Sequence, residues 1–279
     1  MKIIFLSNHV NEHLKARQEE RQRKYAKEVE TYKEKLAAQK MAVEAIKEKR
    51  ATAWQRGKLW QALKYCIQLY VPNYEAVPVA PVMTSADAED RKWEAGKQGE
   101  RRVHDHLQSK LDDSWIMLAG YRNSRGEVDV ILVGPDGLFG MEIKHINGRI
   151  NCDADQWSKD KYDNYGILVD WGTPIADSKG RSPSLQLNEP LALLESVLKR
   201  QFQNLRFHRL VIFTHDNSRL GTLLNTTVDD VVVLEKWKVP EMLKKNNHKL
   251  SRRDVQAIVK RIEQDHQRNS NRGRNGKIR

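Results

Sequence analysis

The spacing of apolar and polar positions divides the chain into a charged leading arm, a proline-bearing stretch, a core and a basic tail. In residues 11–58 apolar side chains are sparse, yet Tyr25, Val29, Tyr32, Leu36, Gln39, Val43 and Ile46 alternate steps of four and three. That is the a/d spacing of a heptad, the pattern of a candidate coiled coil. The arm is therefore predicted to be one helix, pairing with a second copy or lying against the core, until Arg50 and Gly57 interrupt the seam. Residues 59–71 form a second, more apolar helical pattern broken by Gln61, Lys64 and Gln68. It is too short to span a bilayer and is expected to pack on protein. Pro72, Pro78 and Pro81 follow, separated largely by small residues; proline biases its predecessor towards extended backbone, so 72–89 is predicted to be a linker.

Apolar density then rises. Residues 90–111 are predicted to form a helix with Trp93, Gly96, Gly99, Val103 and Leu107 near one face. Residues 115–119 are expected to be a short strand. Residues 127–133 and 138–146 read as strands joined by the turn Gly134-Pro135-Asp136-Gly137. A loop carrying Gly148 and Trp157 comes next, then a helix over 185–202 and strands over 208–214 and 228–234. Helix, hairpin, helix and strand in this order imply a mixed α/β layer architecture. Beyond Trp237, helices are expected over 240–245 and 251–264, the second opened by Ser251 as cap and Asp254 as first-turn acid. Residues 267–279 carry almost nothing apolar and are expected to stay disordered until they meet an anion. The predicted organisation is a helical arm (1–71), a linker (72–89), a core (90–237) and a basic tail (238–279).

Charge sharpens this division. The net charge of the 279 residues is +12, but residues 1–64 carry 16 basic and 8 acidic side chains, and residues 236–279 carry 14 and 4. The middle, 65–235, holds 19 and 25. Basic arms suit a polyanion, while an acidic core concentrates carboxylates for another task. Cys66 and Cys152 are the two cysteines, without metal-ligand spacing; they imply reduced thiols and a cytoplasmic setting. No run of eighteen apolar residues occurs, so no membrane partner is expected. His104 and His106 lie two apart on a predicted helix, where side chains diverge, which argues against zinc there.

Three polar residues interrupt the apolar strands: Asp129 in Glu-Val-Asp-Val-Ile-Leu-Val, and Glu142 and Lys144 in Phe-Gly-Met-Glu-Ile-Lys. Strand side chains two apart share a face, so Glu142 and Lys144 point one way, as do Glu127 and Asp129. The turn at 134–137 brings the two strands together and can set Asp129 beside Glu142. Adjacent buried carboxylates repel unless a cation neutralises them. Mg2+, or Mn2+ in its place, suits such a site, with the Ile143 carbonyl as a further oxygen ligand. A lysine beside the cation can orient or help deprotonate the attacking water and balance phosphate charge.

Asp129 followed by Glu142-Ile143-Lys144 resembles the PD-(D/E)xK nuclease signature. Further motifs make residues 92–235 similar to the nuclease-related domain (NERD) family: Gly96-Lys97-Gln98-Gly99-Glu100, Gly126-Glu127-Val128-Asp129, Met141-Glu142-Ile143-Lys144, Gly148, Trp157 and Ser182-Pro183-Ser184-Leu185-Gln186. The resemblance implies a restriction-endonuclease-like mixed sheet flanked by helices. It also implies Asp129 and Glu142 as metal ligands, Lys144 serving the water, Glu100 as a helix acid of the site and Gln186 steadying water or phosphate. Val128 departs from the wider signature, which has proline there, at a position that supplies no ligand. Arg122, Arg125 and Arg149 flank these motifs and are candidates for holding nucleic-acid phosphate. The function expected is a metal-dependent nuclease acting on DNA rather than RNA, with a homo-oligomer through the helical arm as a further expectation. The alternative is a non-catalytic DNA-binding scaffold with a degenerate nuclease core and a coiled-coil arm.

Overall fold

The computed structural model describes residues 1–7, 9–70, 78–163, 165–239 and 249–275. They fall into two compact units, one formed by Met1–Glu12 with Glu89–Arg279 and the other by His13–Ala88.

The smaller unit contains most of the 47-residue helix α1 (His9–Gln55) and the helix α2 (Leu59–Tyr70). Gly57, with φ +64°, turns the chain between them, a backbone conformation that glycine adopts without steric penalty. Along α1, Tyr25, Val29, Tyr32, Leu36 and Ile46 are half-buried, whereas Gln39 and Val43 are exposed. In α2 one side is packed, with Ala62 fully buried, but Leu59, Trp60, Leu63 and Ile67 are exposed. The expectation that this helix packs on protein therefore holds for only one of its faces. Of the predicted linker, residues 72–77 lie outside the described residues, and its last residues already belong to helix α3 (Ala88–Lys110).

The larger unit is built on two sheets. The six-stranded sheet has the order β1-β2-β3-β4-β8-β10, comprising β1 (Lys2–Phe5), β2 (Ile116–Asn123), β3 (Gly126–Gly134), β4 (Gly137–Lys144), β8 (Phe207–Phe213) and β10 (Asp230–Val233). β2, β3 and β4 form an antiparallel meander, and parallel pairs β1/β2, β4/β8 and β8/β10 extend it. One face buries Met117, Val130, Leu132, Phe139, Met141, Leu210 and Ile212 with Val103 and Leu107 of α3. The other buries Leu118, Ile131, Val133, Leu138 and Val211 with Leu187, Leu191, Leu194 and Leu198 of helix α4 (Pro183–Leu198). Helix α5 (Arg252–Asn275) adds Val255, Ile258, Val259 and Ile262 to that second face. Each fully buried aliphatic side chain contributes about 1.5–3 kcal/mol relative to exposure. Strands covered on both faces read as near-continuous apolar runs, and for that reason β3, β4 and β8 were predictable. The fold is α/β, a mixed sheet flanked by helices.

Three features differ from the sequence expectation. The stretch expected to be a loop around Gly148 and Trp157 instead forms β5 (Gly148–Asp153), β6 (Gln156–Tyr162) and β7 (Leu168–Pro174). With β9 (Ser218–Leu224) they make a second sheet, ordered β7-β6-β5-β9. Its strands are short and only partly buried, through residues such as Ile150, Cys152 and Trp157, so no sustained apolar period reveals them. Residues 2–5 belong to the central sheet, paired with Ile116–Ala119, rather than to the arm. The tail is helical to Asn275 instead of disordered from 267, because the stripe Val255, Ile258, Val259 and Ile262 buries itself and carries the polar end with it; Asn269 donates to the Asp265 main chain at 2.8 Å. The predicted helix at 240–245, and residues 276–279, lie outside the described residues.

Candidate active site

The acidic centre lies where the central sheet loosens. In β2/β3 the register runs Ala119↔Val130 and then Tyr121↔Val128, omitting the Gly120/Asp129 step. In β3/β4 the last pair before the open end is Val130↔Met141. Gly120 has φ +72°, and a Cβ there would lie 2.7 Å from the Ser7 carbonyl oxygen, so a side chain is sterically excluded. The irregularity also reverses side-chain facing: Leu118 and Tyr121, of opposite parity, both reach the α4/α5 face. Freed from the regular ladder, the Ile143 N–H donates to Asp129 Oδ2 at 2.7 Å. Asp129 is thus aimed at the start of the Glu142-Ile143-Lys144 segment by a main-chain donor.

On β4, Glu142 is buried and Lys144 half-buried. Lys144 Nζ donates to Glu142 Oε1 at 2.6 Å and to Gln186 Oε1 at 2.9 Å. Gln186 is held in turn, its Nε2 donating to the Arg181 carbonyl at 2.8 Å. The Ser-Pro-Ser-Leu-Gln motif explains how: Ser182 caps α4, its Oγ accepting from the Leu185 N–H at 3.2 Å, and Pro183 occupies the first turn, where its missing donor is harmless. One turn into the helix, Gln186 faces the sheet. Ser184 Oγ accepts from Trp157 Nε1 at 2.6 Å, so Trp157 packs between the second sheet and α4, with its ring 6.0 Å from that of Phe213.

Glu100 arrives from the other side of the sheet. Gly99 makes this possible: a Cβ there would come within 2.9 Å of Thr214 Oγ1 and 3.2 Å of the His145 Cβ. With glycine, α3 sits against the ends of β4 and β8 and presents Glu100 to the cavity. The cavity, ≈ 890 Å³, is lined by Glu100, Glu127, Asp129, Glu142, Ile143, Lys144 and Gln186. Arg122, Arg125, Lys179 and Arg181 line it as well.

The electrostatics follow from this crowding. Burial raises the Glu100 carboxyl to about 7, helped by the negative charges of Glu127 and Glu142. Burial, then Glu142 and Glu100, push Asp129 well above the usual carboxylate range, against the pull of Lys144 and the Ile143 N–H. Glu142 is also raised, chiefly by burial, with Lys144 opposing. Lys144 is raised despite burial, because Glu142 and Asp129 favour its charged form. One ammonium group thus faces three acids, an excess of negative charge in a poorly solvated place.

Such a site fits a divalent cation by the chemistry of its donors. Hard carboxylate oxygens that destabilise one another are relieved by positive charge. Among the described residues no three His, Cys, Asp or Glu side chains are grouped to hold a metal. A cation here would rest on two carboxylates completed by main-chain oxygen and water, a habit of magnesium rather than zinc.

The flanking arginines separate. Arg122 pairs with Glu127, and Arg125 is exposed at the cavity mouth. Arg149 stands on β5 of the second sheet and does not line the cavity. Sequence reasoning missed Arg181, which pairs with Asp177 at 2.8 Å, donates to the Arg125 carbonyl at 3.1 Å and supplies the main-chain oxygen that orients Gln186. Its place immediately before the cap of α4 was the available signal. The basic tail has an unexpected structural part too: Tyr121 donates to Asp265 of α5 at 2.6 Å, and the Arg122 N–H to His266 Nδ1 at 3.1 Å. Asn123 completes the clamp by donating to the Pro190 carbonyl of α4 at 2.8 Å. α4 and α5 therefore hold β2 just beyond the omitted Gly120/Asp129 step, where its pairing to β3 has resumed.

The chain matches no curated protein and no solved structure. The order of acid, Glu-x-Lys pair and helix glutamine is consistent with the PD-(D/E)xK superfamily. Residues 95–214, which include Glu100, Asp129, Glu142, Lys144 and Gln186, match the family model of the nuclease-related domain (NERD).

Proposed function

We propose that the protein is a metal-dependent nuclease hydrolysing phosphodiester bonds, with DNA as the preferred substrate. The observation that carries the proposal is the convergence of Asp129, Glu142 and Lys144 at a break in the strand ladder, with Lys144 held between Glu142 and Gln186. Asp129, Glu142 and the Ile143 carbonyl would hold Mg2+ or Mn2+. Such an ion, when bound, polarises a phosphoryl oxygen and lowers the pKa of a coordinated water.

The remaining work falls to side chains. Lys144 Nζ has three donors; two are engaged with Glu142 and Gln186, and the third is available to a phosphate oxygen or a water. Its raised pKa keeps it cationic, suiting it to charge stabilisation and to orienting a water rather than to deprotonating one. Gln186 fixes the ammonium position through its own bond to the Arg181 carbonyl. Glu100, raised to about 7, is placed to accept a proton near neutral pH. Arg125, Arg181 and Lys179 at the rim provide positive charge for the phosphates flanking the reacting one. The basic residues of the arm and tail add affinity that falls with salt.

The test is cleavage of supercoiled and linear DNA, and of RNA, with Mg2+ or Mn2+ and with chelator. Metal-dependent DNA cleavage that Asp129→Ala removes while binding persists supports the proposal. Absence of cleavage under either metal overturns it in favour of a non-catalytic DNA-binding protein.

A further inference from the structure

The smaller unit carries a surface that the nuclease reading does not use. Segment 50–70 contains Arg50, Arg56, Lys58 and Lys64 and no aspartate or glutamate, although α1 before it mixes both signs freely. At about 100° per residue, Leu59, Leu63, Ile67 and Trp60 of α2 fall within one stripe ~100° wide. They are 60%, 50%, 52% and 86% exposed. The stripe is distinct from the packed side, where Ala62 is buried and Tyr65, Cys66 and Leu69 are half-buried. Lys64 borders it, Lys58 lies at its start, and Trp54 at the end of α1 is also 55% exposed.

A helix that packs on protein through one face normally turns charge outwards on the other. Here the outward face presents three aliphatic side chains and a tryptophan, with Lys64 beside it and Lys58 just before the helix. We infer that α2, with the end of α1, is an interfacial anchor that lies in the surface of an anionic lipid bilayer. Three physical points select this occupant. Aliphatic side chains gain from transfer into the acyl boundary, whereas they neither stack on bases nor neutralise phosphates. Trp60 and Trp54 have the amphipathic rings that settle at headgroup level. The cations, without a carboxylate among them, complement the negative surface potential of such a leaflet. At about 1.5 Å per residue the 12-residue helix is ~18 Å long, which is enough to lie in the interface and too short to cross the ~30 Å hydrocarbon layer. No described helix is long and apolar enough to cross a membrane, and none is needed. Partial insertion of four apolar side chains gives reversible association.

The experiment is flotation of the full-length protein with vesicles of phosphatidylcholine alone and of phosphatidylcholine mixed equally with phosphatidylglycerol. The protein is expected to float with the anionic vesicles only, and less as salt rises. Trp60→Glu combined with Ile67→Glu, both on exposed positions, abolishes flotation while far-UV circular dichroism is unchanged. Lys58→Gln and Lys64→Gln leave the apolar stripe intact and each weaken binding about fivefold (about 1 kcal/mol). Equal flotation of parent and double-glutamate variant overturns the inference, as does no flotation on either vesicle. A fall in the particle mass measured by light scattering of the vesicle-free double-glutamate variant assigns the stripe to a second copy of this chain, and a loss of its DNA binding assigns it to nucleic acid; either result overturns the lipid assignment.

Discussion

The two sheets of the larger unit are built to opposite rules. The central sheet is covered on both faces, and its polar interruptions stand out against apolar neighbours: Asp129 and Glu142 sit among residues that are almost all fully buried. The second sheet is partly solvated. Its strand β7 exposes Leu168, Val169 and Trp171, and its polar residues have water as an alternative partner. The same side chain therefore has different consequences in the two places. The carboxylates buried in the central sheet are raised in pKa and call for a counter-charge. In the second sheet the buried Asp160 accepts from Asn151 and the Gly172 N–H, and Asp153 and Asp170 are exposed to water. Chemistry concentrates where solvation is withheld, because there an acid must be compensated by something specific.

Several substitutions break or sharpen this contrast. The largest effect is expected from separating activity from stability at the centre. Asp129→Asn keeps the shape and an acceptor for the Ile143 N–H but removes one of the crowded charges. Cleavage should fall by roughly 10²–10³-fold, while the urea midpoint of the metal-free protein at about pH 8 rises, since the repulsion from Glu142 and Glu100 is relieved. A lowered midpoint would contradict the electrostatic account. Next, Leu132→Ala in the central sheet should destabilise by about 2–5 kcal/mol, against less than about 0.5 kcal/mol for Val169→Ala on β7. Equal losses in denaturant titrations would erase the distinction between the sheets.

Gln186→Ala should reduce the cleavage rate by roughly 10–100-fold without abolishing metal binding, because it loosens Lys144 and removes no ligand; isothermal titration with Mn2+ separates the two. The smallest effect concerns Glu100. Its folded pKa of about 7 lies above the ordinary 4.5, so the folded state holds the proton more tightly than the unfolded chain. That contribution to stability is complete below about pH 4.5 and is lost as pH rises through about 7. Urea midpoints of the metal-free parent should therefore decline across neutral pH, and Glu100→Gln should flatten the decline. A variant with the same slope would move the responsibility to another group.

Much of this contrast was legible beforehand, and the reasons differ by region. Periodicity located α3, α4, β3, β4 and β8, since each must bury a continuous apolar face. The acids and lysine at 129, 142 and 144 were conspicuous for being charged inside such runs. The second sheet was invisible to the same reasoning, because Gln156–Tyr162 and its neighbours are polar enough to pass for a loop. β1 was missed because four residues carry no period of their own, and it becomes a strand only when the edge of β2 is available to it. Arg181 looked like any loop arginine until its carbonyl was seen to orient Gln186.

The amino-acid order alone therefore determined which segments must be buried, and which charges would be expensive to bury, because both follow from local chemistry. Only the tertiary structure decided that the ladder opens at Gly120 and Asp129, that α3 approaches closely enough through Gly99 to bring Glu100, and that the stripe on α2 is left uncovered. Those outcomes depend on contacts between residues far apart in the chain. Their energies arise from mutual exclusion of water, which no single segment contains.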